Sequence, residues 1–219
     1  MPLAVRYRHQ PSPHLSPRPG VVVVRETVPD LMATLQGRSE HEMTRRFADG
    51  HRAYVAWSSG VPAAWGWVAT RVAHIGELGS TFDIAEDERY LWNFVTLTAH
   101  RGLGIYPRLL DAIVRAESAL AERFWVAYAP ENHASGIGIR KAGFTDVATL
   151  SFDAMGAPAV GDLVTGGARA AAAFLGIRAA EEELAPCWKC AKQSAPAISS
   201  CRAGSCACDY QRAEVTCAV

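Results

Sequence analysis

The sequence predicts an α/β fold, a sheet layered against helices, and three observations carry that reading. Strand-like and helix-like stretches alternate up to about residue 153. Apolar residues recur at helical spacing over roughly four turns after Gly104: Ile105, Leu109, Leu110, Ile113, Val114 and Leu120. The strand candidates on either side of that helix are joined by a connection long enough for a parallel crossover.

Taken in order, residues 1–20 carry Pro11, Pro13, Pro17 and Pro19 and read as an extended, poorly ordered leader. Val21–Val24 is a β-branched strand candidate, buried on both faces. Thr27 can cap a helix whose early Pro29 suits the first turn, and a second helix spans about residues 40–48, closed by Asp49-Gly50. Tyr54–Trp57 and Ala63–Val72 form a hairpin around Ser59-Gly60. In its second strand, Gly66 between Trp65 and Trp67 marks a bulge or a close backbone approach. Residues 76–88 read as an acidic loop, 90–97 as a strand, 124–129 as a strand, 135–142 as a short helix and 144–152 as a final strand. Residues 154–186 read as a connector holding an Ala-rich helix over 167–175, and residues 187–219 show no clear period.

Composition narrows the function classes. With 49% hydrophobic and 20% charged residues the chain is ordinary globular protein, and a formal net charge of zero argues against a broad nucleic-acid or anionic-membrane surface. No apolar run approaches the ~20 residues of a membrane span, and no apolar stretch follows the early arginines as a secretory signal would require. A cytoplasmic enzyme is the resulting expectation.

The strand ending in Arg101-Gly102-Leu103-Gly104 opens the long helix. The first helical amides lack intrahelical partners and sit at the positive end of the dipole. Gly102 and Gly104 remove side chains, so a pyrophosphate can lie against those amides while Arg101 adds charge. Taken alone, the tetrapeptide is equally a tight turn with a glycine helix entry.

Further along stand Asn132-x-x-Ser135 and Lys141-Ala142-Gly143-Phe144. Together with the loop they resemble the GNAT (GCN5-related N-acetyltransferase) superfamily, over roughly residues 21–153. The family's loop pattern is Arg/Gln-x-x-Gly-x-Gly/Ala; Arg101 and Gly104 match it, whereas Tyr106 replaces its last small residue. The bulk of Tyr106 can crowd the phosphates or turn away into the helix packing. The resemblance implies a mixed central sheet flanked by helices and direct acyl transfer from acyl-CoA to an amine, with acetyl-CoA the default donor. It further implies that the strands carrying Thr96 and Val126 splay, with pantetheine in the gap. Backbone groups of Val95, Thr96 and Leu97 would bind pantetheine, the amides of Leu103, Gly104, Ile105 and Tyr106 the pyrophosphate. Asn132 and Ser135 would complete the cofactor set.

Transfer needs a base for the acceptor ammonium and an acid for the departing thiolate. The tyrosine that family members often place seven residues after the asparagine is Ile139 here. Tyr128 is the substitute by location, with packing as its other reading. Glu88 before the central strand is the candidate base; Glu77, Asp83, Glu86 and Asp87 precede it, and a solvated acidic face is the alternative. Asn93 is a further polar candidate. His100 and His133 flank the motifs as surface or supporting groups. Trp57, Trp65, Trp67 and Trp92 read mainly as core.

All six cysteines lie between Cys187 and Cys217. Cys187 and Cys190 form a CxxC knuckle, and with Cys206 and Cys208 they can close a tetrahedral Zn2+ site. Disulfides or redox thiols, or a tail without a site, are the other readings.

The leading expectation is thus an N-acyltransferase for a small-molecule or peptide amine, without nucleic acid or membrane as partner and with a homodimer admitted. A non-catalytic acyl-CoA-binding or adaptor protein is the alternative.

Overall fold

The computed structural model describes residues 1–182, 184 and 185. Towards one edge of its sheet lies a hairpin, β3 (Arg52–Ser58) and β4 (Val61–Ala69), turned by Ser59 and Gly60 at φ of 51° and 82°. Two successive positive φ values match the right-handed twist of the strands, and this is why Ser-Gly turns here. Outside β3 lies β2 (Val21–Glu26), and inside β4 lies β7 (Glu88–Thr96), each pair antiparallel. From β7 the chain passes through a single 3-10 turn at Thr98–His100 into α3 (Ile105–Glu117) and returns as β8 (Arg123–Ala127), parallel to β7. Helix α4 (His133–Lys141) and β9 (Thr145–Phe152) follow.

Residues 1–20 depart from the leader reading. Pro2–Tyr7 forms β1, which lies in the middle of the sheet, antiparallel to β8 on one side and to β9 on the other. Leu3 and Ala4 are fully buried, and the Arg6 guanidinium, 2% exposed, donates to Asp111 Oδ1 and to the Ala142 carbonyl, both at 2.9 Å. Apart from Pro2, which starts this strand, the prolines of the leader follow it, so Pro11, Pro13, Pro17 and Pro19 govern residues 11–19 alone. The connector reading of 154–186 changes likewise. β10 (Pro158–Asp162) pairs with β9, β11 (Arg178–Ala179) pairs with β10, and α5 (Gly167–Leu175) packs beside them. One mixed sheet of nine strands results, in the order β11-β10-β9-β1-β8-β7-β4-β3-β2.

Helices cover both faces. On one, α3 and α4 bury Ile105, Leu109, Leu110, Ile113 and Ile139 against Val68, Leu91, Phe124 and Val126. On the other, α1 (Pro29–Gln36) and α2 (Glu40–Ala48) set Met32 and Met43 against Val55, Trp65 and Trp67, while α5 stacks Phe174 on Trp125 at 4.8 Å. Strand alternation explains the division: Phe124 and Val126 point one way and Trp125 the other.

Smaller corrections follow from position. Val21–Val24 is an edge strand, so Val22 and Val24 are 58% and 45% exposed rather than buried on both faces. The acidic loop contributes β6 (Ser80–Asp83), which pairs as a hairpin with β5 (Val72–Ile75) just before it. Helix α3 ends at Glu117, which leaves Leu120 57% exposed. The first helix is preceded by Val28, with the Glu26 carboxylate accepting from the amides of Thr27 and Val28; Thr27 does not cap it. Among the described residues no helix is long and apolar enough to cross a membrane.

Candidate functional site

The site begins with a strand that loses its partner. Parallel pairing of β7 with β8 ends at Leu91 opposite Val126. Two residues on, Asn93 adopts φ 52°, and the register with β4 slips so that Asn93 and Phe94 together face Gly66. This is a β-bulge, which bends the strand. Only glycine fits opposite: a Cβ at Gly66 would stand 2.0 Å from the Phe94 ring. Beyond the bulge β7 follows β4, while β8 follows β1, with the Tyr128 amide donating to the Pro2 carbonyl at 3.2 Å. A wedge-shaped gap opens between the two parallel strands.

Backbone alternation decides which groups face that gap. The Leu97 amide donates to the Ala63 carbonyl at 2.9 Å, and Val95 stands opposite Trp65, so both turn towards β4. Thr96 is left on the open side, where its carbonyl accepts from Arg101 Nε at 3.1 Å. Of the three backbone positions expected from sequence, Thr96 alone offers its groups to the gap.

A cavity of about 400 Å³ fills the mouth of the gap. Gly102, Gly104, Ile105 and Tyr106 form its floor at the start of α3, Phe94 and Thr96 one wall, and Asn132, Ser135 and Gly138 of α4 the other. Gly102 and Gly104 both hold left-handed φ, 73° and 68°, which turns the chain sharply into the helix. Arg108 Nη1 then donates back to the Gly104 carbonyl at 2.6 Å. Leu103 is 37% exposed and is not part of the lining. Arg101, His100 and Lys141 contribute positive or ionisable nitrogen, and the described lining residues include no carboxylate. A helix start surrounded by such groups can accept an anion.

Tyr106 does not point at the loop amides. Its ring lies against α4, where a Cβ on Gly138 would come within 2.4 Å of it, and its hydroxyl is 3.4 Å from Ser135 Oγ. Asn132 is the cap of α4, its Oδ1 accepting from the Ser135 amide at 3.0 Å. That bond accounts for the Asn-x-x-Ser spacing in local terms.

The catalytic candidates separate. Glu88 is 4% exposed at the far end of β7, roughly 26 Å from Thr96 at the usual strand rise. Its Oε1 accepts from Trp125 Nε1 at 3.1 Å and pairs with Arg123 Nη2 at 2.9 Å, so the structure assigns it to a buried ion pair and not to the cavity. Burial pushes its carboxyl above the usual range, offset in part by Trp125 and Arg123. Asp83, Glu86 and Asp87 are exposed. The Tyr128 hydroxyl donates to Asp146 Oδ2 and accepts from Arg140 Nη1, both at 3.0 Å, outside the cavity lining. Burial and the hydrogen bond to Asp146 raise its pKa.

Asn93 is the one catalytic candidate at the bulge. Its Nδ2 donates to Gln36 Oε1 at 3.2 Å, an oxygen that also accepts from Arg46 Nη1 at 3.3 Å and Trp67 Nε1 at 3.4 Å. The Arg46 guanidinium lies over Trp92 at 4.8 Å and Trp67 at 5.3 Å, and His51 meets the Trp92 ring at 5.1 Å. Trp65 and Trp67 are core, as expected. The sequence reading missed Phe94 and Gly138 as cavity walls; their significance lies in contacts with Gly66 and Tyr106 that no linear pattern carries. Cys187, Cys190, Cys206 and Cys208 fall outside the described residues.

Burial lowers the His51 pKa, with Arg46 and Arg71 adding to the effect and Asp49 opposing it. The unfolded chain therefore takes up a proton first on acidification. The contribution of His51 to stability is present above the ordinary imidazole value of about 6.5 and is lost as pH falls below it. Urea midpoints at about pH 7.5 and 5.5 should show wild type losing up to ~1 kcal/mol more than His51→Phe; equal acid sensitivity of the two would refute the assignment.

No protein-family model matches the chain, and no curated protein does. Among solved structures it is similar to a GCN5-related N-acetyltransferase from Kribbella flavida: 16% identity, TM-score 0.42, 66% of this chain and 53% of that one. It is also similar to the ribosomal-protein-S18-alanine N-acetyltransferase of Escherichia coli, with 16% identity, TM-score 0.46 and coverage of 61% and 82%. A third is the glucosamine-6-phosphate N-acetyltransferase of Arabidopsis thaliana, at 16% identity, TM-score 0.40 and coverage of 57% and 92%. The chain spans about half the length of the Kribbella flavida protein.

Proposed function

We propose that the chain is an acyl-CoA-dependent N-acyltransferase that moves an acetyl group from acetyl-CoA directly to the amine of a small molecule or peptide in the cytoplasm. The observation that carries the reading is the gap between β7 and β8, open beside a bulge and floored by the glycine-turned start of α3 without a carboxylate in its described lining. Such a site suits a donor with a pyrophosphate at one end and a slender amide-bearing arm at the other. The loop amides would take the pyrophosphate, Arg101 its charge, and the open backbone of Thr96 the arm. The paired motifs of the GNAT superfamily fall on this same loop and on the cap of α4, which supports the assignment.

The reaction would need little further machinery. A bound amine attacks the thioester carbonyl once it has lost its proton, and water in an exposed gap can accept that proton. Asn93 stands where the arm would end, with Gln36 and Arg46 behind it.

The test is thiol release from acetyl-CoA across a panel of amines, beside calorimetric titration with CoA. Turnover with at least one amine is expected. CoA binding without thiol release for any amine would instead favour an acyl-CoA-binding adaptor. The sealed position of Glu88 and the fully buried Ile139 are what recommend that second reading.

A further inference from the structure

We propose that Arg108 is a positioning residue for the acyl donor, clipping the glycine loop at the start of α3 to a strap formed by residues 8–20. The role rests on the donor-binding reading above.

The strap follows from where its ends lie. β1 finishes beside the C-terminal end of α3, where the Arg8 amide donates to the Glu122 carbonyl at 2.9 Å and Arg8 Nη1 to the Ser118 carbonyl at 3.3 Å. β2 starts at the end of the sheet where β7 finishes, since Val21 stands opposite Ser58, Ser58 opposite Val61, and Ala64 opposite Thr96. Residues 8–20 therefore travel the length of α3, ~20 Å for its 13 residues. Pro13 and Leu15 are half-buried, and Pro11, Pro13, Pro17 and Pro19 fix φ along an otherwise exposed segment. At the N-terminal end of α3 the strap meets Arg108, whose Nη2 donates to the Ser16 carbonyl.

Arg108 is an unexpected residue for its place. Near the start of a helix acids are favoured, because the free amides and the dipole make that end positive. α3 has no acid in its first turn and no side-chain cap. Arg108, its fourth residue, turns back to the cap instead, and Nη1 donates to the Gly104 carbonyl at 2.6 Å. Among the described residues no carboxylate pairs with it. A cation held at the positive end of a helix is unfavourable until an anion arrives there. Arg101 ahead of the glycine turn and Arg108 behind it thus prepare the turn for phosphate.

The bond also aims a donor. The Gly104 carbonyl and the Ile105 amide belong to one peptide plane and point opposite ways. Holding the carbonyl on Arg108 turns the Ile105 N–H towards the glycine loop, at the cavity that Ile105 lines. Arg108 itself is not part of that lining, so it acts through the loop. One planar fork bridges the carbonyls of Gly104 and Ser16, which a lysine cannot reproduce.

The experiment measures CoA affinity by calorimetry, and turnover of acetyl-CoA and of S-acetylpantetheine with an amine that wild type acetylates. S-acetylpantetheine has the arm without the pyrophosphate. Arg108→Met keeps the stem of the side chain. It should raise the CoA Kd and the acetyl-CoA KM about 20-fold, with kcat, and kcat/KM for S-acetylpantetheine, each within about twofold. Arg108→Lys keeps the charge without the fork and should limit the rise to about fivefold. The combined strap variant Pro13→Gly, Pro17→Gly and Pro19→Gly should raise the CoA Kd about threefold. In the Arg108→Met background it should add nothing, because the strap acts through that side chain. An Arg108→Met protein with wild-type CoA affinity overturns the role. So does an equal loss with both donors, the mark of a disturbed fold, or full additivity of the strap and Arg108 changes. Wild-type protein that binds no CoA overturns the donor-binding reading itself, a distinguishable outcome.

Discussion

Deletion of residues 1–8 is expected to leave no cooperatively folded protein. β1 pairs with β8 and β9 at once, so its loss opens two strand edges in the middle of the sheet. Leu3 and Val5 contribute to one core and Ala4 to the other, so both faces lose packing together. Each buried aliphatic side chain is worth ~1.5–3 kcal/mol, and marginal stability is ~5–15 kcal/mol in total. The deletion also takes the buried guanidinium of Arg6 from Asp111, 6% exposed, and leaves it the exposed Arg115 at 3.1 Å; losing the buried partner of such a pair costs up to ~3–5 kcal/mol. Circular dichroism during urea titration should show no sigmoidal transition. A variant lacking residues 1–8 that melts within about 5 °C of the full chain would show that β1 is dispensable.

Gly104→Asp is expected to weaken CoA binding by about 1,000-fold, or ~4 kcal/mol, while the protein remains folded. Gly104 is the N-cap of α3 at φ 68°, a conformation that aspartate tolerates better than most residues. The strain is therefore modest, ~1–2 kcal/mol, and the Arg108 side chain beside it is a flexible neighbour. The carboxylate, however, would stand where a pyrophosphate has to lie, bringing like charges together. Calorimetry with CoA should resolve the loss, and a matched thermal transition should show that folding persists. Unchanged CoA affinity in a folded Gly104→Asp protein would remove the loop from the binding site. The contrast with Gly102 is informative. It too has positive φ, and no atom lies within 4 Å of a Cβ built there, so its alanine variant should register strain without crowding.

How much of this was legible beforehand depends on the range over which each feature is encoded. The β3–β4 turn and the start of α3 were readable because their signals are local: Ser59-Gly60, and Gly102 with Gly104. The cap of α4, Asn132 with Ser135, is equally local, but the sequence reading began that helix at Ser135 and gave Asn132 to the cofactor. β1 was not. Pro2–Tyr7 is short, its middle residues are buried on both faces so no alternation appears, and its partners lie over a hundred residues away. Glu88 was misplaced for a related reason. A carboxylate ahead of a central strand looks free in sequence, and only the tertiary approach of Trp125 and Arg123 takes it out of use. Gly66 could be flagged as a bulge or a close approach, and both descriptions apply, though the extra residue sits on β7 and the approaching group is the Phe94 ring. Tyr106 looked like a departure from a pattern until Gly138 supplied the space that explains it.

The central position of β1 also sets an order of events during synthesis. Its residues leave the ribosome well ahead of the strands on both sides of them, β8 and β9, which emerge more than a hundred residues later. The hairpin of β3 and β4 can form while the chain is growing, since its contacts are close in sequence. The half of the sheet built around β1 has to wait for translation to pass β9. Until then an apolar strand stays unpaired on the nascent chain, open to chaperones or to wrong partners. This protein is therefore expected to complete its fold in two stages, with the gap between β7 and β8 assembled only in the second.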